Sequence, residues 1–335
     1  DCWQEEDLGR ASKRIRDNEK TRLDNIVPNT PHLLEVNLGN ICNLACRMCG
    51  IGATINWKKE YNLVQEPEFR KTKKELNILG KQFNNSFTDE SRIWDEIKSN
   101  MKYARHIDMY GGEPMMIKKQ WDILRYCVEQ GYAKDQMVSY NTNGTLHKPE
   151  YIDILKHFKR VTISFSIDGI EDHFEYIRYP AKWPETEKIM ETWLDNTKHL
   201  PNFEIDMCFS YQITNVLGYV KCAEWAKDRG IRIYTNGVYA PGYYNCTNIR
   251  ESLKDDVIKE MRATPTRYPE IKEELEYIVK HIKQSKANPV DWAKFLKYNR
   301  ALDISRDQNF TKTFPLEAKL FKYNGPEPVI TKTTI

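Results

Sequence analysis

From residue 32 onward one rhythm constrains the fold more than any other feature: a short β-rich run, a loop holding Gly or Asn, then a helical stretch. The runs are 33-LLEVNL-38, 106-HIDMY-110, 137-MVSYN-141, 161-VTISFSI-167, 204-EIDMCFSYQI-213 and 231-IRIYTNGVY-239. Each is rich in β-branched and aromatic residues and ends near a turn signal. Helix candidates lie between them at 118–131, 149–158, 184–200 and 218–230. Proline stands at or beside the start of two of these, and glycine closes two, as helix punctuation requires. Strands alternating with helices imply a parallel sheet joined by right-handed crossovers, so the fold class is α/β, and an open barrel of six units fits the count.

Two segments fall outside the rhythm. Residues 53–104 are strongly charged and are expected to hold one or more helices. Residues 250–300 read as a helical tail, clearest at 251–263 and 271–284. The division expected is an N-terminal arm over 1–31, a barrel over 32–240 and a C-terminal helical extension over 241–335. The 335 residues, 40% hydrophobic and 12% aromatic, can build a substantial core. No apolar run approaches the roughly 18 residues that span a bilayer. The opening, 1-DCWQEEDLGRASKRIRDNEK-20, is charged throughout and is not a secretory signal. It also lacks an initiator Met, and the chain reads as a fragment or as the ordered part of something longer. Net charge is +3 with acids and bases interspersed. The most basic run, 70-RKTKKE-75, suits a solvated helix face, so charge gives little support for a nucleic-acid partner.

Eight cysteines are too few for a disulfide scaffold, and five of them (Cys2, Cys127, Cys208, Cys222, Cys246) show no pairing rhythm. With no secretion signal the expected compartment is the reducing cytoplasm, where clustered thiols favour metal binding or catalysis. The other three, Cys42, Cys46 and Cys49, stand in 42-CNLACRMC-49 with C-x3-C-x2-C spacing directly after the first strand run. Such a loop can give three thiolates to a [4Fe-4S] cluster and leave one iron open. A zinc site is the alternative. It usually takes two separated ligand pairs, and only His32 or His106, neither at motif spacing, could complete it. Cys127, Cys208 and Cys222 are expected to be core residues. A second element, 110-YGGEP-114, follows the second strand run. Its glycines permit close approach to the backbone, and Glu113 offers a carboxylate to a cationic group.

CNLACRMC followed by GGEP resembles the radical S-adenosylmethionine enzymes, over roughly residues 32–240. The resemblance implies a partial (β/α)6 TIM-like barrel in which the open iron chelates the amino and carboxylate groups of S-adenosylmethionine. It also implies that Gly111, Gly112 and Glu113 receive the amino group, and that the backbone of Met48 lies near the adenine. That family commonly has an aromatic residue in place of Met48. The stretch 164-SFSIDGIEDHFEYIR-178 resembles the S-x-D-G…R segment of the peptide-modifying branch with auxiliary SPASM or twitch cluster domains. There the serine and arginine hold the cofactor, which implies those roles for Ser166 and Arg178. Asn141 and Asn143, in 140-YNTNG-144, stand at the third strand's end, where the resemblance implies approach to the ribose and methionine portions, and of the two Asn141 is taken as the site residue; Val238 is implied near the adenine. NTNG is also good turn chemistry in its own right.

The segment CWQEEDLGRASKR and the tail 302-LDISRDQNFTKTFPL-316 resemble twitch-type proteins. The likeness implies that Cys2 is the last ligand of an auxiliary iron–sulfur cluster whose other cysteines lie upstream. The expected activity is reductive cleavage of S-adenosylmethionine to a 5′-deoxyadenosyl radical that abstracts hydrogen from a peptide or protein side chain. The electron donor would be of flavodoxin or ferredoxin type. A sugar, nucleotide or tRNA base is the alternative substrate, and a metal-stabilised binding module the non-enzymatic alternative. Tyr110, Asp206, Tyr211 and Tyr239 could face the cavity, with core packing the default for each.

Overall fold

The computed structural model describes residues 2–7, 9–12, 15, 30–63 and 91–323. The basic run 70-RKTKKE-75 lies outside the described residues. Six strands form one parallel sheet in chain order: β1 (Leu33–Asn37), β2 (His106–Tyr110), β3 (Met137–Thr142), β4 (Arg160–Ser166), β5 (Phe203–Tyr211) and β6 (Arg232–Gly237). β1 and β6 are its edges, so the sheet is open, a partial barrel as expected. Every sequence run falls on a strand, and β5 and β6 each stop two residues short of their runs. The chain leaves β5 in a turn in which the Asn215 side chain accepts from Gln212 N at 2.8 Å.

The helices along the chain are α1 (Cys2–Asp7), α2 (Trp57–Leu63), α3 (Ser91–Asn100), α4 (Lys118–Glu129), α5 (Pro149–Leu155), α6 (Glu171–Ile177), α7 (Trp183–Thr197) and α8 (Tyr219–Asp228). The tail adds α9 (Glu251–Ala263), α10 (Pro269–Gln284), α11 (Pro289–Arg306), α12 (Phe310–Thr313) and α13 (Pro315–Phe321).

A strand buried on both faces reads as a continuous apolar run, whereas these strands alternate. One face carries Ile107, Met109, Val138, Tyr140, Val161, Ile163, Phe165, Met207 and Phe209. All are buried in the core shared with the surrounding helices. The other face is polar: Ser164 and Tyr234 share a 2.8 Å hydrogen bond, His106 and Ser139 a 2.7 Å one, and Arg232 donates to Asp206 at 2.7 Å. Asp206 therefore faces the inside of the barrel. Tyr211 has the opposite parity and packs edge-on to His281 of α10, 5.5 Å between ring centres, and Tyr239 also meets His281, at 5.3 Å. Cys208 is a correction to a core role: it lies on the polar face, level with Ser166 and Tyr234. Cys127 and Cys222 are buried in the core as expected.

The helices of the tail run past the stretch 250–300 and reach Phe321. α11 escaped notice because it buries polar and apolar residues together: Trp292, Phe295, Tyr298 and Leu302 beside Asn299, Asp303 and Arg306. That mixture hides the apolar stripe of an ordinary amphipathic helix. Phe310, Phe314, Phe321 and Tyr323 are buried, and Phe314 packs on His173 and Tyr176 of α6 at 4.3 and 5.1 Å. Near the other terminus, Arg10 pairs with Glu274 of α10 at 2.7 Å and donates to Thr235 of β6 at 2.9 Å.

Glu317 of α13 is buried, and desolvation lifts its carboxyl from 4.5 to about 7, against the pull of its own backbone N–H. A folded-state value above the unfolded one contributes stability that is complete below the unfolded value and is lost as pH rises through the folded one. Between pH 4.5 and 7, then, the wild type loses stability that Glu317→Gln keeps, on the order of 3 kcal/mol at pH 8. Urea midpoints of both chains at pH 5 and pH 8 measure it. Parallel pH profiles would count against the assignment.

Candidate cofactor site

The cysteine loop begins where β1 ends, and little regular structure pairs its backbone. Side chains and neighbouring loops do so instead, as buried peptide groups require. Asn56 donates to Cys42 O at 2.8 Å, Thr54 to Leu44 O at 2.6 Å, Trp57 Nε1 to Cys46 O at 3.1 Å and Asn40 to Ile51 O at 2.9 Å. On the other side Ala45 N donates to Tyr179 O at 2.7 Å and Arg47 N to Ile177 O at 2.9 Å. These last two bonds bracket Cys46 and set it opposite Arg178.

The GGEP loop locks onto the same segment. Leu38 N donates to Tyr110 O and Glu113 N to Ile41 O, each at 2.7 Å. Gly111 and Gly112 have φ of +94° and +54°. A Cβ on Gly111 would run into the Asn37 side chain and come within 2.8 Å of Gly39 O, and one on Gly112 would strike the Ile41 carbonyl. The sequence suggested that these glycines let a ligand approach the backbone. What approaches them is the backbone of the cysteine loop.

Glu113 is fully buried. Its carboxylate accepts from Met115 N at 3.1 Å, Thr142 Oγ1 at 2.7 Å and Asn143 N at 2.7 Å. Burial lifts its carboxyl above the ordinary range, and those three bonds oppose the shift. Glu113 thus ties the end of β2 to the end of β3. From there Asn143 reaches back: its Nδ2 lies 2.8 Å from Asn43 Oδ1 and 3.7 Å from Cys42 Sγ. Of the two asparagines in NTNG, it is Asn143 that touches the cysteine loop. Asn141 lies exposed on β3, level with Ser164. The sequence signal was the turn itself, since a residue at the strand end can fold back where one inside the strand cannot.

The three thiols differ. Cys46 is buried, and Cys42 and Cys49 are half-buried. Cys49 and Cys46 share a hydrogen bond that holds the Cys46 thiol below its ordinary range, and the Arg178 charge pulls the same way. The same bond, with burial, raises Cys49. Burial pushes Cys42 up to about 12. Among the described residues no three His, Cys, Asp or Glu side chains converge as they would on one metal ion. His32 and His106 precede or open their strands, so they sit at the end of the sheet opposite the cysteines and cannot complete a zinc site. A soft all-thiolate donor set beside a buried guanidinium fits an anionic iron–sulfur cluster.

Arg178 follows α6 and is almost fully buried. It pairs with the fully buried Asp168 at 2.7 Å, and Asp168 Oδ1 accepts from Ser210 N at 3.0 Å. The pairing is not a surface salt bridge. Arg178 Nε has no hydrogen-bond partner among the described residues. Asp168 lies in the same S-x-D-G motif and was missed, because a carboxylate beside a turn glycine reads as turn chemistry. Ser166 ends β4 half-buried, and Met48 is half-buried against the core. Val238 is buried just past β6, with its N–H bonded to Tyr211 O at 3.1 Å. All these positions share the C-terminal edge of the sheet, where open α/β barrels carry out chemistry. Among the described residues no hydrogen bond joins Asn141, Ser166 or Val238 to the cysteine loop. The side chain of Cys2 lies outside the described residues.

The family model of the Radical SAM superfamily matches residues 36–202. Comparison with curated proteins finds no match. Among solved structures, SuiB from Streptococcus suis bound to the precursor peptide SuiA is 16% identical, with 82% of this chain and 51% of that one covered and a TM-score of 0.41. SuiB bound to S-adenosylmethionine is 15% identical, with 82% and 52% covered and a TM-score of 0.44. A histidine-tagged anSMEcpe with bound AdoMet is 14% identical, with 68% and 56% covered and a TM-score of 0.46. The chain spans about half the length of these structures' chains.

The interlock predicts a specific sensitivity. Gly112→Ala places a Cβ against the Ile41 carbonyl at a positive φ, so it should destabilise the chain by about 1–3 kcal/mol. It should also impair iron uptake by the cysteine loop. Urea unfolding and iron analysis after anaerobic reconstitution measure both, and an alanine variant with wild-type values would contradict the interlock.

Proposed function

We propose that this chain, whose barrel matches the family model of the Radical SAM superfamily, reductively cleaves S-adenosylmethionine and abstracts a hydrogen atom from a polar substrate, a peptide or protein side chain. The observation that carries the reading is the meeting of the cysteine loop, the GGEP loop and the NTNG turn at one end of the sheet. Glu113 and Asn143 bridge all three. When bound, a [4Fe-4S] cluster supplies an open iron for the cofactor's amino and carboxylate groups and the electron that opens the sulfonium to methionine and a 5′-deoxyadenosyl radical.

The protein's part is binding, orientation and charge. Cys42, Cys46 and Cys49 would hold three irons. Glu113 turns its carboxylate inward, so its service would be to brace the GGEP loop, and the backbone of Gly111 and Gly112, on the side away from the cysteine loop, would receive the amino group. Arg178, neutralised by Asp168 yet with Nε unspent, would meet the cofactor carboxylate. Ser166 and Asn141 would approach the methionine and ribose portions, and Met48 and Val238 the adenine. The polar inner face, with Ser164, Asp206, Cys208 and Tyr234, offers hydrogen bonds to a polar substrate. An electron donor of flavodoxin or ferredoxin type is required. No helix among the described residues is long and apolar enough to cross a membrane. A twitch-type auxiliary cluster, with Cys2 as its last ligand, belongs to the same reading.

Two outcomes follow. With dithionite and no substrate, the reconstituted chain should slowly release 5′-deoxyadenosine, and Ala at any of the three cysteines should abolish release. Chromatography of the products decides this, and undiminished release by a variant lacking all three would sink the proposal. Second, the paired change Arg178→Gln with Asp168→Asn spares the interior an unmatched charge. A charge-assisted bond contributes roughly 1.5–3 kcal/mol, so cofactor affinity should fall about 10- to 150-fold. Equilibrium dialysis would show it, and unchanged affinity would move the carboxylate contact elsewhere.

A further inference from the structure

Arg47 lies inside the cysteine motif, between Cys46 and Met48, yet its side chain turns away from the sheet and into the C-terminal tail. It is fully buried, and all five of its N–H donors are used. Nε donates to Tyr176 O at 3.0 Å, and Nη1 to Asn299 O and Oδ1 at 3.3 and 2.9 Å. Nη2 donates to Asp303 Oδ1 at 2.6 Å and to Gln308 Oε1 at 2.8 Å. The guanidinium also stacks 3.6 Å from the centre of the Tyr176 ring. The acceptors are themselves fixed. Tyr176 OH donates to Asp303 Oδ1 at 2.7 Å, Asn299 Nδ2 to Tyr176 OH at 2.8 Å, and Phe310 N to Asp303 Oδ2 at 2.8 Å. A second arginine runs the other way. Arg306 of α11 donates to Ala45 O at 2.7 Å and to Glu60 of α2 at 2.8 Å.

We propose that the C-terminal tail is a built part of the cofactor site. Asp303, Asn299 and Gln308 act through Arg47, and Arg306 acts through Ala45, as positioning residues that hold Cys46 opposite Arg178. Ordinary packing of a tail on a barrel needs no buried ion pair, and such a pair gives little net stability over apolar residues of the same volume. A saturated arginine fixes direction as well as distance, because its donors lie in one rigid plane. The backbone on both sides of Cys46 is thereby held twice, by residues 177–179 on one side and by the tail on the other. This inference rests on the cluster reading above and assigns to residues beyond the barrel a part in setting the cluster's geometry.

The test uses the full chain, reconstituted anaerobically with iron and sulfide. Asp303→Asn keeps the shape of the side chain and removes its charge, and Gln308→Ala removes one of the five acceptors at the edge of the network. In folded variants, shown by cooperative melting before reconstitution, the reduced cluster's electron paramagnetic resonance signal should differ from wild type. Iron release to a chelator should be several-fold faster, and more so for Asp303→Asn. Asp303→Glu should restore part of the wild-type signal. If Asp303→Asn does not fold, Gln308→Ala decides the question alone. Folded variants with the wild-type signal and release rate would overturn the proposal and leave the tail a packing element. A wild-type chain that takes up no iron would instead remove the cluster reading on which the proposal stands.

Discussion

The structure depends on one close approach: the Asn37 side chain and the backbone of Gly39 and Ile41 against Gly111 and Gly112. Two loops that follow neighbouring strands are pressed together until neither glycine has room for a Cβ, and both take conformations that other residues resist. Everything else at the site is arranged around that contact. It aligns Glu113 under the end of β3, which places Asn143 on Cys42. It also leaves the remainder of the cysteine loop free to reach across to Tyr176–Tyr179 at the end of α6. A loop of this kind has no ladder of its own, so its shape is borrowed from what surrounds it.

Among the described residues, three ion pairs bury both partners. Arg47 meets Asp303, Arg178 meets Asp168 and Arg306 meets Glu60, each at 2.6–2.8 Å and nearly out of solvent. All three pairs surround residues 45–49. Pairs like these return little net stability, because desolvation offsets the attraction, but removing one partner is expensive. Their concentration around the thiols fits a site in which position matters more than stability. It also leaves two arginines, Arg178 and Arg306, with electrostatic reach to Cys46, and positive charge nearby favours the ionised form of a thiol.

The barrel was legible because each strand alternates apolar and polar residues around a polar interior, and because turn residues mark the ends. All six strands were found at nearly their true limits. The cysteine and GGEP loops were legible from composition and spacing. What they do to each other was not, since nothing in GGEP says whether its glycines face a ligand or a neighbouring loop. Asp168 was hidden in turn chemistry, where a local role is the commoner one, and of the two asparagines named in NTNG the one favoured was Asn141, not the Asn143 that reaches the cysteine loop. The network of Arg47 was invisible, because its partners lie more than 250 residues away: Asn299 and Asp303 on a helix whose buried polar residues blur its pattern, and Gln308 just beyond its end. Cys208 was misread for the opposite reason: a cysteine between apolar residues suggests the core, yet its parity puts it inside the barrel.

If the three thiols of one loop hold a cluster with an iron open to S-adenosylmethionine, as proposed, the cofactor's amino and carboxylate groups must both lie within hyperfine range of that iron. Pulsed electron–nuclear double resonance on the reduced, reconstituted chain, with the cofactor labelled by 15N at its amino group and 17O at its carboxylate, tests it most directly. Hyperfine coupling of both labels to the cluster is expected, lost when any one of Cys42, Cys46 or Cys49 is replaced by alanine. A reduced cluster that shows neither coupling at saturating cofactor would contradict it.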